Sequence, residues 1–244
     1  MNDQRDLDGL TALVTGATSG IGRAAAEELA RRGANVIVHG RDAEHGATVV
    51  GEIIEAGGRG RFVATDISPP GGAAELAAAA GDVDILVNDA GFAWFGPTED
   101  TDVATYDRLF DINVRAPYFL VAALAPKMAT RGGGSIINVG SMAGQVGMPG
   151  GAAYSGTKAA LTAMTRSWAA EYSPAGVRIN TIASGPVYTP IQPEEVTAAV
   201  GDTTILKRAA QPEEIAGLIG FLASPQASYI TGATFAADGG RTAI

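Results

Sequence analysis

Tyr154 and Lys158 stand one helical turn apart in Tyr154-Ser155-Gly156-Thr157-Lys158, and far upstream the chain carries Thr15-Gly16-Ala17-Thr18-Ser19-Gly20-Ile21-Gly22. A phenol and an ammonium at i and i+4 share one helix face, so the cation favours the phenolate and makes the phenol a workable proton donor and acceptor. Glycines between an apolar strand and an amphipathic helix let the backbone turn sharply and approach a pyrophosphate. The helix N-terminus then adds N–H donors and a partial positive charge. Gly16, Gly20 and Gly22, with Thr18, Ser19 and Ile21 between them, are therefore candidate cofactor contacts, although glycines also end strands for steric reasons alone. Together the two motifs suggest proton transfer beside a bound dinucleotide.

The elements that must position these residues follow from the hydrophobic pattern. Short apolar runs alternate with alanine-rich stretches, the rhythm of βαβ units. Strands are predicted at 12–14, 35–39, 61–64, 85–88, 135–139, 178–182 and 234–236. Helices fill the intervals, beginning with 21–32, closed by Gly33. Two long helices at about 105–130 and about 152–172 carry small and apolar residues around most of their circumference, which predicts burial on both sides. The expected fold is α/β: a single-domain Rossmann fold over 1–244, with a doubly wound, parallel, seven-stranded sheet and helices on both faces. Residues 186–207 hold three prolines and little periodicity. They are expected to be the most mobile segment, with a substrate lid over about 187–207.

Composition removes several classes of function. With 17 basic and 26 acidic residues the formal charge is -9, which opposes nucleic acid and anionic membranes as partners. The absence of cysteine excludes disulfides and thiolate metal sites, and His39 and His45 lack a pattern that completes a zinc site, so no metal is expected. No apolar run reaches the roughly 18 residues of a membrane span. Met1-Asn2-Asp3-Gln4-Arg5-Asp6 also lacks the basic-then-apolar order of a signal peptide, so a cytoplasmic protein is expected.

The second predicted strand runs into His39-Gly40-Arg41-Asp42. An acid at this point holds ribose hydroxyls, whereas an arginine accommodates a 2′-phosphate. Gly40 stands in the acid's place and Arg41 follows, so NADP(H) is expected ahead of NAD(H). Ser19 weighs the other way, because many NADP users place a second basic residue there. The competing reading makes Arg41 a solvated loop residue and Asp42 the cap of the next helix. Asp66, with Ile67 beside it, would meet the adenine or close a turn.

The glycine turn at 15–22, Asn88-Asp89-Ala90-Gly91, Asn113, Ser141 and the Tyr154/Lys158 pair arrive in a familiar order, with Ser141 thirteen residues before Tyr154. From about Leu10 to its end the chain resembles the short-chain dehydrogenase/reductase family. Whole-chain similarity is strongest to the 3-oxoacyl-(acyl-carrier-protein) reductases, including Ser228-Tyr229-Ile230-Thr231-Gly232 and Asp238-Gly239-Gly240. The resemblance implies an NADP(H)-dependent oxidoreductase that interconverts a ketone and a secondary alcohol by hydride transfer, with Tyr154 as acid and base. It implies that Lys158 bonds the nicotinamide ribose, Ser141 bonds the substrate oxygen, and Asn113 holds a water that relays protons toward Lys158. On the residues alone, Ser141 is equally a cap, and Asn113 a helix-kinking side chain bonded to backbone. The same resemblance places Asn88, Ala90 and Gly91 near the cofactor, Gly185, Val187 and Thr189 at the nicotinamide, and the two long helices in a homotetramer. Two departures stand out: Asp89 replaces a usual second asparagine, and Ser184 a usual proline. They bear on the bonding of the central strand and on the turn over the nicotinamide.

The substrate wall is expected from Trp94, Met142, Gln145, Met148 and Tyr188, joined by Phe95, Val146 and Ile191, with Gln145 as a polar selector. Such a wall suits a small or medium apolar carbonyl compound or alcohol, unless several of these side chains pack in subunit contacts instead. An acidic carrier protein would dock on a basic rim, yet 164–178 offers only Arg166 and Arg178. A free ketone is therefore preferred, with a 3-oxoacyl-(acyl-carrier-protein) reductase as the alternative. A non-catalytic NADP(H)-binding sensor is the rival of another class, and the intact Tyr154, Lys158 and Ser141 argue against it.

Overall fold

The computed structural model describes residues 5–244, so Met1-Asn2-Asp3-Gln4 of the N-terminal stretch read above lies outside the described residues. Within that span, β1 (Thr11–Val14), β2 (Asn35–Gly40), β3 (Arg59–Ala64), β4 (Ile85–Asn88), β5 (Gly134–Ser141), β6 (Val177–Ser184) and β7 (Thr234–Ala237) form one parallel sheet. The strand order is β3-β2-β1-β4-β5-β6-β7. The helices are α1 (Gly20–Arg31), α2 (Ala43–Glu55), α3 (Gly72–Ala80), α4 (Val103–Phe110), α5 (Ala116–Thr130), α6 (Ala152–Tyr172), α7 (Glu194–Gly201) and α8 (Pro212–Ala223).

Strand periodicity divides the core into two layers. Ala12 and Val14 pack with Ala25, Leu29, Ile53 and Ile219 of α1, α2 and α8, whereas Leu13 between them packs with Leu76, Leu120 and Leu124 of α3 and α5. Each buried leucine or isoleucine contributes about 1.5–3 kcal/mol, which makes the register of a strand covered on both faces difficult to slip. The chain leaves β1 toward one edge of the sheet and β4 toward the other. Their carboxyl ends therefore border the crevice where doubly wound sheets bind ligands.

Three sequence expectations change. The helix expected over 105–130 is interrupted: α4 ends at Phe110, Asp111–Arg115 form a π turn, and α5 begins at Ala116. Pro117 has no N–H to return to the Asn113 carbonyl, and the Asn113 side chain finds strong partners of its own, so the regular ladder fails at this point. The strands β5 and β6 run two residues further than expected and finish at the paired Ser141 and Ser184, which are thus strand ends rather than loop residues. The 187–207 segment is not without periodicity, since it contains α7 and is stitched at its base by Tyr188 N–H to Ala210 O (3.0 Å) and Ala210 N–H to Pro186 O (2.9 Å). Gly33 follows the C-cap Arg32 of α1 with φ +101°, the left-handed stop expected of it.

Candidate active site

A cleft of about 710 Å³ lies at the carboxyl ends of the strands. Its floor is the glycine turn between β1 and α1. Added methyls at Gly16 and Gly22 would lie 2.9 Å from Ala90 Cα and 2.5 Å from Gly16 O, so only glycine permits the turn to lie this close to the loop after β4. Gly16, Thr18, Ser19, Gly20 and Ile21 line the cleft, whereas Gly22 is the packing residue beneath. Ser19 caps α1 without any side-chain hydrogen bond. This donor-rich helix end, in a cradle that side chains would fill, fits a pyrophosphate-bearing dinucleotide.

Beyond the turn, β2 ends where a methyl on Gly40 would meet Thr18 Cγ2 at 2.5 Å, so an acid at this position would have to displace the Thr18 side chain. Arg41 is exposed and lines the cleft, while Asp42 caps α2 by accepting from the N–H groups of Glu44 and His45. The cap expected of Asp42 is present, and Arg41 is at once exposed to solvent and at the edge of the cleft. Asp66 and Ile67 also line the cleft. Asp66 Oδ1 accepts from Ser68 Oγ (2.7 Å) and Ser68 N (2.9 Å), and the Ser68 hydroxyl holds its carboxyl below the usual carboxylate range, as in a turn aspartate. His39 lies buried beside them; burial pushes its imidazole pKa down.

At the other end, Tyr154 and Lys158 project into the same cleft from the first turns of α6, with Lys158 Nζ 5.8 Å from the Tyr154 ring centroid. The buried Lys158 ammonium donates to Val139 O (2.9 Å), which fixes it against β5. Ser141 lines the same wall, and its Oγ accepts from Ala143 N (3.1 Å), so it is a cap as well as a cleft residue. Ala90, Gly91, Gly185, Val187 and Thr189 complete this end, with Thr189 reaching across to the glycine turn.

Two expected site residues lie behind the cleft rather than on it. Asn113 in the π turn accepts from Phe92 N (2.8 Å) through Oδ1 and donates to Phe92 O (2.8 Å) and Thr157 Oγ1 (3.1 Å) through Nδ2. Its side-chain N–H groups are thus both spent on Phe92 and Thr157, and Oδ1 holds the Phe92 N–H. Asn88 is buried in the sheet, donating to Asn138 Oδ1 (2.8 Å), and supports β4 against β5 instead of facing a cofactor. Thr157, which sequence reasoning passed over, donates to Tyr154 O (2.7 Å) and joins Asn113 to the catalytic helix.

The two departures also take defined places. Ser184 Oγ donates to Gly140 O (3.2 Å), so the turn before Gly185 is tied to β5 rather than loosened. Asp89 lines the cleft: its N–H donates to Thr15 Oγ1 (3.0 Å), and its carboxyl reaches the glycine turn, with Oδ2 2.7 Å from the position of a methyl on Gly22. Burial pushes this carboxyl up to about 7, against the opposing pull of Lys158 and the Gly22 N–H.

Met142 and Met148 line the cleft near Tyr154, together with Phe95, whose ring meets the Tyr154 ring edge-on at 5.3 Å. Ile191, Val196 and Val200 line the cleft too, the last two by their i, i+4 spacing on α7, an apolar pair that was readable in the sequence. Trp94, Gln145 and Tyr188 do not line it. Trp94 turns into a second cavity of about 480 Å³ with Tyr106 and Phe110, and Gln145 is exposed.

Comparison with known proteins agrees with this geometry. The family model described as Enoyl-(Acyl carrier protein) reductase matches residues 16–242. Cis-4-hydroxycyclohexanecarboxylate dehydrogenase of Sinomonas cyclohexanicum is 39% identical over 241 residues, covering 96% of each chain. Among solved structures, a short chain dehydrogenase/reductase family protein is 49% identical with a TM-score of 0.91, covering 98% of this chain and 100% of that one. The angucycline C-6 ketoreductase LanV with bound NADP is 34% identical with a TM-score of 0.93, covering 98% of each. The chain belongs to the short-chain dehydrogenase/reductase family and is an NAD(P)-dependent oxidoreductase of that family.

Proposed function

We propose that the protein interconverts a secondary alcohol and a ketone of small or medium size, apolar and cyclic in type, with NADP(H) as the preferred cofactor. The observation that carries this reading is the convergence of Tyr154, Lys158 and Ser141 on one cleft that the apolar Ile191, Val196 and Val200 also line. A bound nicotinamide dinucleotide supplies or accepts the hydride. Tyr154 then gives its hydroxyl proton to the substrate oxygen during reduction and takes it back during oxidation. Lys158, held by Val139 O, keeps a positive charge beside the ring when the phenolate forms. Ser141 donates to the substrate oxygen, a bond that strengthens as negative charge develops there. Asn113 and Thr157 act as positioning residues that hold the start of α6 against the 90–92 loop.

Arg41 beside the sterically crowded Gly40 supports NADP(H), as does the bound NADP of the ketoreductase neighbour. The relative named for a hydroxycyclohexane carboxylate supports a ring substrate. The 187–207 segment serves as the lid through α7. Exposed Val103, Tyr106, Tyr118 and Phe119 on α4 and α5 support assembly into a homotetramer. Among the described residues no helix is long and apolar enough to cross a membrane, which agrees with a cytoplasmic enzyme.

The test is NADPH oxidation measured across cyclic ketones, quinones, keto sugars and β-ketoacyl thioesters, for wild type and Tyr154→Phe. Turnover of cyclic ketones that falls by at least ~10²-fold in the variant, with NADPH binding retained, is the expected result. Activity confined to the thioesters would instead favour carrier-protein chemistry, in line with the description of the matching family model.

A further inference from the structure

Asp89 is a titratable group that the reaction does not use, and it occupies the very helix end that a pyrophosphate needs. Its Oδ2 lies 2.7 Å from the position of a methyl on Gly22 and 3.4 Å from that of one on Gly16. The Gly22 N–H, in the first turn of α1, draws the pKa of this carboxyl down, and Ser19, the cap residue, makes no side-chain bond to that turn. The Asp89 backbone is pinned by Thr15 Oγ1, which also accepts from Ala90 N (3.0 Å), so the main chain that carries the carboxyl is fixed beside the turn.

We propose that Asp89 takes up a proton when a pyrophosphate dinucleotide binds at the N-terminus of α1. The proposal rests on the dinucleotide reading of the cleft and goes further by assigning that site its own proton. Two anions sharing one helix end in a poorly hydrated crevice cannot both stay charged without a large penalty, and the carboxyl is the one that can neutralise. The groups that face Asp89 are few. Helix α1 offers the Gly22 N–H and α6 the Lys158 ammonium, which is already bonded to Val139 O, while the Thr15 hydroxyl after β1 is spent on the Asp89 and Ala90 N–H groups. Burial holds the carboxyl at about 7 before any ligand arrives, so a modest further rise leaves it protonated throughout the neutral range. An asparagine would offer Gly22 the same acceptor with no charge to remove.

Linkage fixes the sign. Because the bound form holds its proton more tightly, affinity is pH-independent well below the free value and weakens as pH rises through it, by about fivefold from pH 7 to pH 8 at most. The experiment is calorimetric titration of wild type and Asp89→Asn with NADP⁺ and with NAD⁺ at pH 8, in buffers of different ionisation enthalpy. Wild type should take up about half a proton or more per dinucleotide bound, and Asp89→Asn close to none. The variant subtracts the titration of His39 and of the ligand's own 2′-phosphate. Negligible uptake by wild type, which needs no variant to measure, overturns the proposal, as does uptake that persists undiminished in Asp89→Asn. Failure of both dinucleotides to bind overturns the cofactor reading and this proposal with it, so the two failures are distinguishable.

Discussion

Replacing Asp89 by Asn should stabilise the ligand-free protein, and only above a defined pH. In the folded state the Asp89 carboxyl is raised from 3.8 to about 7, chiefly by burial. A carboxyl raised in this way contributes nothing adverse below about pH 4, where both folded and unfolded chains hold the proton. Stability is then lost progressively as pH climbs to the folded value, because the unfolded chain releases its proton first. At roughly 1.4 kcal/mol per pH unit, the full loss by pH 7 is about 4 kcal/mol, of which about 3 kcal/mol falls between pH 5 and pH 8. The Asn variant keeps the acceptor for Gly22 and has no charge to desolvate, so it escapes this loss. For a chain of this length about 3 kcal/mol corresponds to a shift in Tm of about 6–12 °C. Thermal and urea unfolding of both proteins from pH 5 to pH 9, without cofactor, measure the difference directly. The gap should open with pH in favour of the variant; a constant gap, or one that closes, refutes the reasoning about burial.

Other substitutions test separate parts of the site. Arg41→Ala should weaken NADPH binding by about 10- to 100-fold through loss of a charge-assisted contact, with NADH binding little changed; fluorescence titration with both cofactors checks it. Asn113→Leu leaves the N–H and C=O of Phe92 without partners and should destabilise the protein by about 2–4 kcal/mol in urea unfolding, with a fall in kcat larger than any change in KM. Phe95→Ala, next to Tyr154, should raise KM for cyclic ketones severalfold, whereas Trp94→Ala should leave KM near wild type because its side chain faces the other cavity; steady-state kinetics of the two variants compare them.

Local chemistry was the legible part of this sequence. Strand positions, the α1 stop at Gly33 and the Tyr154/Lys158 face depend on neighbours within a few residues, and they emerge close to where periodicity and spacing put them. The partners of Asn113 and Asn88 were not legible because they are far along the chain: Phe92 and Thr157 for the first, Asn138 for the second. The same limit applies to Trp94 and Phe95. Adjacent residues in an irregular segment point different ways, and composition gives no sign of which one faces Tyr154. Asp89 was visible as a departure, but its reach beneath the glycine turn depends on β4 lying next to β1, which only the sheet order establishes.

The amide of Asn113 meets Phe92 as a neighbouring strand would, accepting one bond from its N–H and donating one to its C=O, and donates a third to Thr157. The consequence is mechanical. The 90–92 loop, the interrupted helix and the start of α6 are fastened into one jaw, so widening the mouth on this side would break three bonds at once. Any adjustment to guests of different girth must therefore be made by the other jaw, where α7 hangs between its two anchored ends.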